Sequence, residues 1–161
     1  MLRRHRLVEL FLVRVLGFDW TEVHDEAERL EHAVSDRVVD RIDELLGHPE
    51  VDPHGHPIPS SSGTLDSRVA MPLDEVEPGT RVRVARVSDR DARFLRVLER
   101  IGVRPGTRLT IRARDEAADS VTISLGRGRH ETMGLRAAAR ILVERSRSSG
   151  TAKRLPRVVA R

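Results

Sequence analysis

The sequence predicts an α+β chain: an all-helical front half and a small SH3-like β-barrel behind it. Three observations carry that reading. Apolar residues recur at helical spacing up to Gly47, the pattern changes to period two beyond about Met71, and a proline-rich segment separates the two regimes. At 161 residues the chain has room for two small domains.

Leu7, Leu10, Phe11 and Val15 set a first helix over 2–16, stopped at Gly17. Asp19 stands three residues before Glu22, the spacing of a capping box, so a second helix is expected from about Trp20 to Val34. Ser35 and Asp36 offer a new cap. A third helix then carries Val38, Val39, Ile42, Leu45 and Leu46 on one stripe and closes at Gly47. HPEVDPHGHPIPSSSG (48–63) holds four prolines and no helical period, and reads as an extended loop entering a linker.

Beyond the linker, RVRVARV (81–87), TRLTIRA (107–113) and SVTISL (120–125) alternate as strands. DARFLRVLERIGV (91–103) is an amphipathic helix between the first two, and GLRAAARILVE (134–144) is a short helix turning into a last strand. The expected units are a helical domain over 1–60, a linker over 61–70, the barrel over 71–145 and a basic, disordered tail over 146–161.

Composition narrows the chemistry. No cysteine is present, so disulfides, thiol nucleophiles and sulfur-ligated metals are excluded, leaving His, Asp, Glu and backbone oxygen as donors. Aromatics are only 2% of residues, so Leu, Val, Ile and Ala must fill the core. The opening MLRRHRLVELFLVRVLG is interrupted by His5, Arg6, Glu9 and Arg14, unlike a secretory leader, and no run reaches the length of a membrane span. A cytoplasmic protein with no membrane partner is expected. The net charge of +4 hides an asymmetry: residues 19–52 carry 12 acids against 3 arginines, whereas the segment after Glu144 has basic residues and no acid. That basic segment is a candidate phosphate contact as well as a solvated tail.

On an ideal helix His24, Glu28, Glu31 and His32 fall within an arc of roughly 100°, beside an arc of about 60° holding Val23, Ala27, Leu30 and Val34. Such spacing fits either a metal site or a solvated polar face. His5 and Glu9, an i, i+4 pair adjoining the apolar stripe of the first helix, favour the metal: charge near a helix–helix seam is costly unless paired or ligated. Carboxylate oxygen with imidazole nitrogen, and no sulfur, suits Mn²⁺ or Fe²⁺.

RHRLVELFLVRVLGFDWTEVHDEAERLEH followed by SDRVVDRIDELLGHPEVDPHGHPIP resembles the metal-binding and dimerisation domain of the diphtheria-toxin-repressor family of metal-activated bacterial transcriptional repressors. Residues 71–145 resemble the FeoA-type SH3-like domain that many members carry. The resemblance covers about nine-tenths of the chain. It implies a primary activating metal site at Glu28, Glu31 and His32 and an ancillary site at His5, Glu9 and His24. Glu28 stands where iron-responsive members have cysteine and manganese-responsive ones glutamate, so Mn²⁺ is favoured and Fe²⁺ is the second candidate.

The resemblance also implies a homodimer, with Val38, Val39, Ile42 and Leu45 offering more apolar surface than three helices cover alone. It treats the DPHGHP loop, with His54 and His56, as a structural linker whose histidines point apart. In the barrel, SDRDARF lacks the glutamine that relatives lend to the ancillary site; Asp89 and Asp91 are candidate substitutes, and neither is assigned as a ligand. His130 is expected exposed, and Trp20 packed against the first helix. No helix-turn-helix is legible, so no DNA-binding residue is assigned in this chain, and operator DNA is expected to be reached only through a domain outside it. Alternatives are a stand-alone metal-binding partner forming a heterodimer with a full-length family member, an interaction module like the FeoA-type partners of iron transporters, and a carboxylate–histidine metallohydrolase. The last lacks a nameable general base.

Overall fold

The computed structural model describes residues 1–64 and 69–146. Residues 65–68 of the expected linker and 147–161 of the expected tail lie outside the described residues. Three helices lead, α1 (Leu2–Arg14), α2 (Val23–Glu31) and α3 (Asp36–Leu45). Then follow β1 (Met71–Pro72), a 3₁₀ turn (Leu73–Glu75), β2 (Arg81–Val87), α4 (Ala92–Ile101), β3 (Arg108–Asp115), β4 (Ser120–Ser124), β5 (His130–Gly134), α5 (Leu135–Ala138) and β6 (Ile141–Arg145).

α1 is buried along two faces. Leu7 and Leu10 pack with Val39, Ile42 and Ile58, while Val8 and Leu12 pack with Val23 and Ala27 of α2. This sandwiching places Glu9, between those faces, at 0% exposure. α3 starts as expected, with Ser35 capping the Val38 amide.

The start of α2 differs from expectation. Asp19 accepts from the Thr21 amide at 2.8 Å and holds Trp20–Glu22 in a turn, so the helix begins at Val23 and no capping box forms. That local turn holds the Asp19 carboxyl below its ordinary range, with the Thr21 amide as the main cause. It also reaims Trp20. The ring joins the core beneath the sheet with Leu98 and Val103 rather than lying chiefly on α1. Its Nε1 donates to Glu99 Oε1 at 3.1 Å, and the Arg104 guanidinium lies 4.9 Å from its centroid.

The sheet is antiparallel throughout, in the order β1-β6-β2-β3-β4-β5. Inward Val82, Val84, Leu109, Ile111, Val121, Ile123, Ile141 and Val143 pack against Phe94, Leu95 and Leu98 of α4. α4 is capped by Asp91, which accepts from the Arg93 and Phe94 amides, and ends at Gly102 in the left-handed region. β5 is a strand the sequence pattern did not reveal. Arg127 and Gly128, both at positive φ, form the two-residue hairpin turn that pairs it with β4, and exposed His130 opens it.

The four residues expected at a dimer surface divide in two. Val39 and Ile42 are 4% and 6% exposed, consumed inside the chain by α1 and Ile58. Val38 and Leu45 stand 45% and 65% exposed. The stripe is therefore not one free face, because α1 lies across its inner half.

Candidate metal centre

Glu9 organises the polar centre. Its Oε1 lies 3.1 Å from His5 Nε2 and 3.0 Å from His24 Nδ1, and those two nitrogens are 3.1 Å apart. Three acceptor-capable atoms thus converge on one point. His5 Nδ1 is meanwhile engaged by Glu31 Oε2 at 2.9 Å. If that nitrogen carries the ring proton, the Nε2 lone pair of a neutral His5 faces a carboxylate oxygen. Such an arrangement is favourable only with a second proton or a cation in the middle. Consistently, the hydrogen bond with Glu9 raises His5 above its ordinary value against the opposing effect of burial.

The other Glu9 oxygen, Oε2, is buried without a hydrogen-bond partner among the described residues. It faces His54 Nδ1 at 3.8 Å, beyond hydrogen-bond reach, and that nitrogen is also unpartnered. His54 is 0% exposed, and its Nε2 donates to the Trp20 carbonyl at 2.8 Å, leaving Nδ1 to point at Glu9. Burial alone would push the Glu9 carboxyl up, but His5 and His54 hold it well below the usual carboxylate range. Burial pulls His54 down and Glu9 overcomes it, leaving the imidazole raised.

This geometry corrects the reading of DPHGHP as a linker with divergent histidines. Asp52 Oδ1 accepts from the amides of His54 and His56 at 2.8 and 2.9 Å and curls the loop on itself. The two rings come to 6.4 Å, and His56 Nδ1 sits 3.3 Å from Asp52 Oδ2 and 3.6 Å from Asp89 Oδ2. The loop is clamped between α1 and β2: the Val87 amide donates to the His54 carbonyl at 2.9 Å. Gly55, at φ +88°, passes so close that a Cβ would fall 2.0 Å from the Ala85 carbonyl oxygen.

Three donor groups result, in each of which the ligand atoms lie within 4.8 Å of one another: His5–Glu9–His24, Glu9–His54–Asp89 and Asp52–His54–His56. The first is the trio expected as ancillary. His54, His56 and Asp52 were missed because their convergence depends on the Asx turn and the β2 contact, though two histidines beside an aspartate were a visible signal. Of the two barrel acids, Asp89 reaches the cluster, whereas Asp91 is spent capping α4.

The expected primary trio is not assembled. Glu31 is 8% exposed and bound to His5, and its Oε1 lies 3.4 Å from His32 Nε2. Glu28 and His32 are exposed, and neither joins a donor group among the described residues.

Comparison with known proteins places these features in context. Residues 1–60 match the family described as iron dependent repressor, metal binding and dimerisation domain, and residues 71–145 match the FeoA domain. The chain is 35% identical over 127 residues to the iron-dependent repressor IdeR of Mycobacterium leprae, an alignment covering 69% of this chain and 54% of that protein. It is 39% identical over 100 residues to the diphtheria toxin repressor of Corynebacterium diphtheriae, covering 62% and 42% respectively. It thus spans about half the length of the curated relatives it matches. Among solved structures it superposes on a manganese-dependent transcriptional repressor in complex with manganese, with a TM-score of 0.85 and 47% identity, covering 90% of this chain and 69% of that one. ScaR with bound Zn²⁺ gives a TM-score of 0.79 and 35% identity, covering 89% and 71%. These relatives are repressors, not enzymes. With its helical metal-binding half, its FeoA-type sheet and this degree of identity, the chain belongs to the diphtheria-toxin-repressor family of metal-dependent transcriptional repressors.

Proposed function

We propose that this chain is the metal-sensing and dimerisation portion of a repressor that responds to Mn²⁺, with Fe²⁺ as the second candidate. The observation that carries it is the buried Glu9 carboxylate, with one oxygen toward His5 and His24 and the other, unpartnered, toward the unpartnered Nδ1 of His54. An ionised carboxylate at 0% exposure facing imidazole lone pairs is costly unless a proton or a cation sits among them. The donors are hard oxygen and borderline nitrogen, with no cysteine in the chain, a set that suits Mn²⁺ and Fe²⁺.

His5, Glu9 and His24 would hold one ion, while His54, Asp89 and the second Glu9 oxygen would hold another or enlarge the same site. A bound divalent cation supplies a fixed charge that replaces competing protons. The chain's own residues do the remaining work. Glu31 orients His5, Trp20 orients His54, and Asp89 draws β2 and the segment after it toward α1. Glu28, Glu31 and His32 are proposed as the activating site on the strength of the family resemblance and the glutamate at 28, with His5 linking the two sets through Glu31. Self-association would use the exposed Val38 and Leu45 of α3. Operator DNA would be a partner of the assembled repressor.

Calorimetric titration with Mn²⁺ tests this reading. Wild type is expected to bind with a rise in thermal midpoint, Glu9→Ala to lose binding at the buried cluster, and Glu28→Ala with His32→Ala to lose the activating site. Unchanged stoichiometry and affinity in all variants would remove the proposal.

A further inference from the structure

The DPHGHP loop meets α1 at a second buried carboxylate, and its surroundings differ from those of Glu9. Asp52 is 4% exposed. Its Oδ1 is filled by the amides of His54 and His56 at 2.8 and 2.9 Å, while its own amide donates to the His56 carbonyl at 2.9 Å. Its Oδ2 makes no hydrogen bond, but Nε of Arg6, on α1, stands 3.6 Å away. Arg6 is itself largely buried and also donates to the Pro57 carbonyl, so one guanidinium grips both ends of the curl. Glu9 has no such counter-charge. Among the described residues its ion pairs are with the imidazoles of His5, His24 and His54 alone, and Asp89 pairs only with His56.

We infer that Asp52 is a positioning residue of the metal centre and not one of its ligands, with Arg6 as its fixed counter-charge. A buried carboxylate needs a compensating cation. At Glu9 only imidazoles face the charge, which leaves the place of the cation open. At Asp52 it is taken by a guanidinium, which stays charged at every working pH. A divalent ion on Oδ2 would stand beside that guanidinium in a buried setting, where like charges repel strongly. What Asp52 does instead follows from Oδ1. The two amide bonds fix the backbone at His54 and His56, and the Trp20 carbonyl fixes the His54 ring, so that Nδ1 faces Glu9. Arg6 lies between His5 and Glu9 in the sequence of α1, so the helix that supplies two donors also anchors the loop that supplies a third. This role rests on the Mn²⁺ reading of the donors around Glu9, which Asp52 serves from outside.

The test uses the 161-residue chain with the paired substitution Arg6→Gln and Asp52→Asn, which removes both charges and keeps an oxygen for the two amides. In calorimetric titration with Mn²⁺ the paired variant should bind as wild type does. Asp52→Ala, which deletes the turn, should lose at least about tenfold in affinity, the scale of outer-shell changes at metal sites. Glu9→Gln gives the loss expected of a ligand. In EDTA, the proton on His54 Nε2, buried and bonded to the Trp20 carbonyl, should give a proton NMR signal in wild type and in the paired variant, and none in Asp52→Ala. Circular dichroism should be unchanged throughout. A paired variant that loses as much affinity as Glu9→Gln while keeping the His54 signal would make Asp52 a ligand and overturn the inference. So would an Asp52→Ala chain that keeps both affinity and signal. If wild type binds no Mn²⁺, the metal reading falls by itself, and the signal in EDTA still decides: its loss in Asp52→Ala alone upholds the positioning role, and its persistence there removes it.

Discussion

The His54 imidazole donates from Nε2 to the Trp20 carbonyl at 2.8 Å, and in doing so turns its Nδ1 toward Glu9. One hydrogen bond therefore ties the residue that docks the sheet to a residue of the donor cluster around Glu9. Trp20 reaches the sheet domain through Glu99 and Arg104, and His54 reaches it again through the Val87 amide. The helical domain and the sheet are joined at the site itself.

Gly55 is the most sensitive point of that junction. Gly55→Ala places a methyl against the Ala85 carbonyl in a conformation unfavourable to any side chain, and should cost at least about 2 kcal/mol. Thermal denaturation would show the lowered midpoint. Trp20 fluorescence should shift to the red as its ring loses the sheet core, and an unshifted spectrum would mean that the loop does not hold the domains together.

Glu9→Gln preserves shape but removes the charge that three imidazoles face. Mn²⁺ affinity should fall at least about tenfold, a loss on the scale of even outer-shell changes at metal sites. The metal-free protein should lose less than the metal-bound one, so the thermal shift caused by Mn²⁺ should shrink. A full shift in this variant would exclude Glu9 as a ligand.

Two residues of α3 separate folding from association. Ile42→Ala empties a position packed against α1 and should destabilise the chain by about 2–5 kcal/mol. Leu45→Asp, at 65% exposure, should leave the melting of dilute protein nearly unchanged while shifting sedimentation toward the monomer. A Leu45→Asp chain that sediments like wild type would move the dimer surface elsewhere.

Asp91 gives a pH dependence of determinate sign. The Phe94 amide, with Arg140 and the Arg93 amide, holds its carboxyl below the ordinary 3.8. A lowered folded-state value means the cap stabilises fully above the unfolded value and is lost as pH falls through the folded one. Asp91→Ala should therefore lower the urea midpoint at pH 7 and differ progressively less from wild type as pH drops below about 4. Asp91→Asn should keep much of the capping while flattening that pH response.

Much of this was legible from local pattern. Apolar spacing gave α1, α3, α4 and β2 nearly to the residue, because each buries one regular face. β5 was hidden because HETMG has no apolar alternation, and its existence depends on the positive-φ turn at Arg127–Gly128 and pairing with β4. The His5–Glu9 pair was readable because helical periodicity stacks residues four apart, whereas the grouping of His24 with that pair was implied by the family resemblance and not by spacing, which set His24 beside Glu28, Glu31 and His32. Nothing local says that His54 and Asp89 meet beside Glu9, since they lie on a curled loop and in the segment after β2, more than thirty residues apart.

By itself the sequence determined the donor chemistry, oxygen and nitrogen without sulfur, and the two-part architecture, because composition and periodicity act within single segments. The tertiary structure decided which donors share one point, which half of the α3 stripe stays free, and where Trp20 is buried. Those outcomes depend on how α1, the DPHGHP loop and β2 crowd around Glu9. A buried carboxylate draws its partners from whatever elements the fold packs against it, and that is a property of the packed chain.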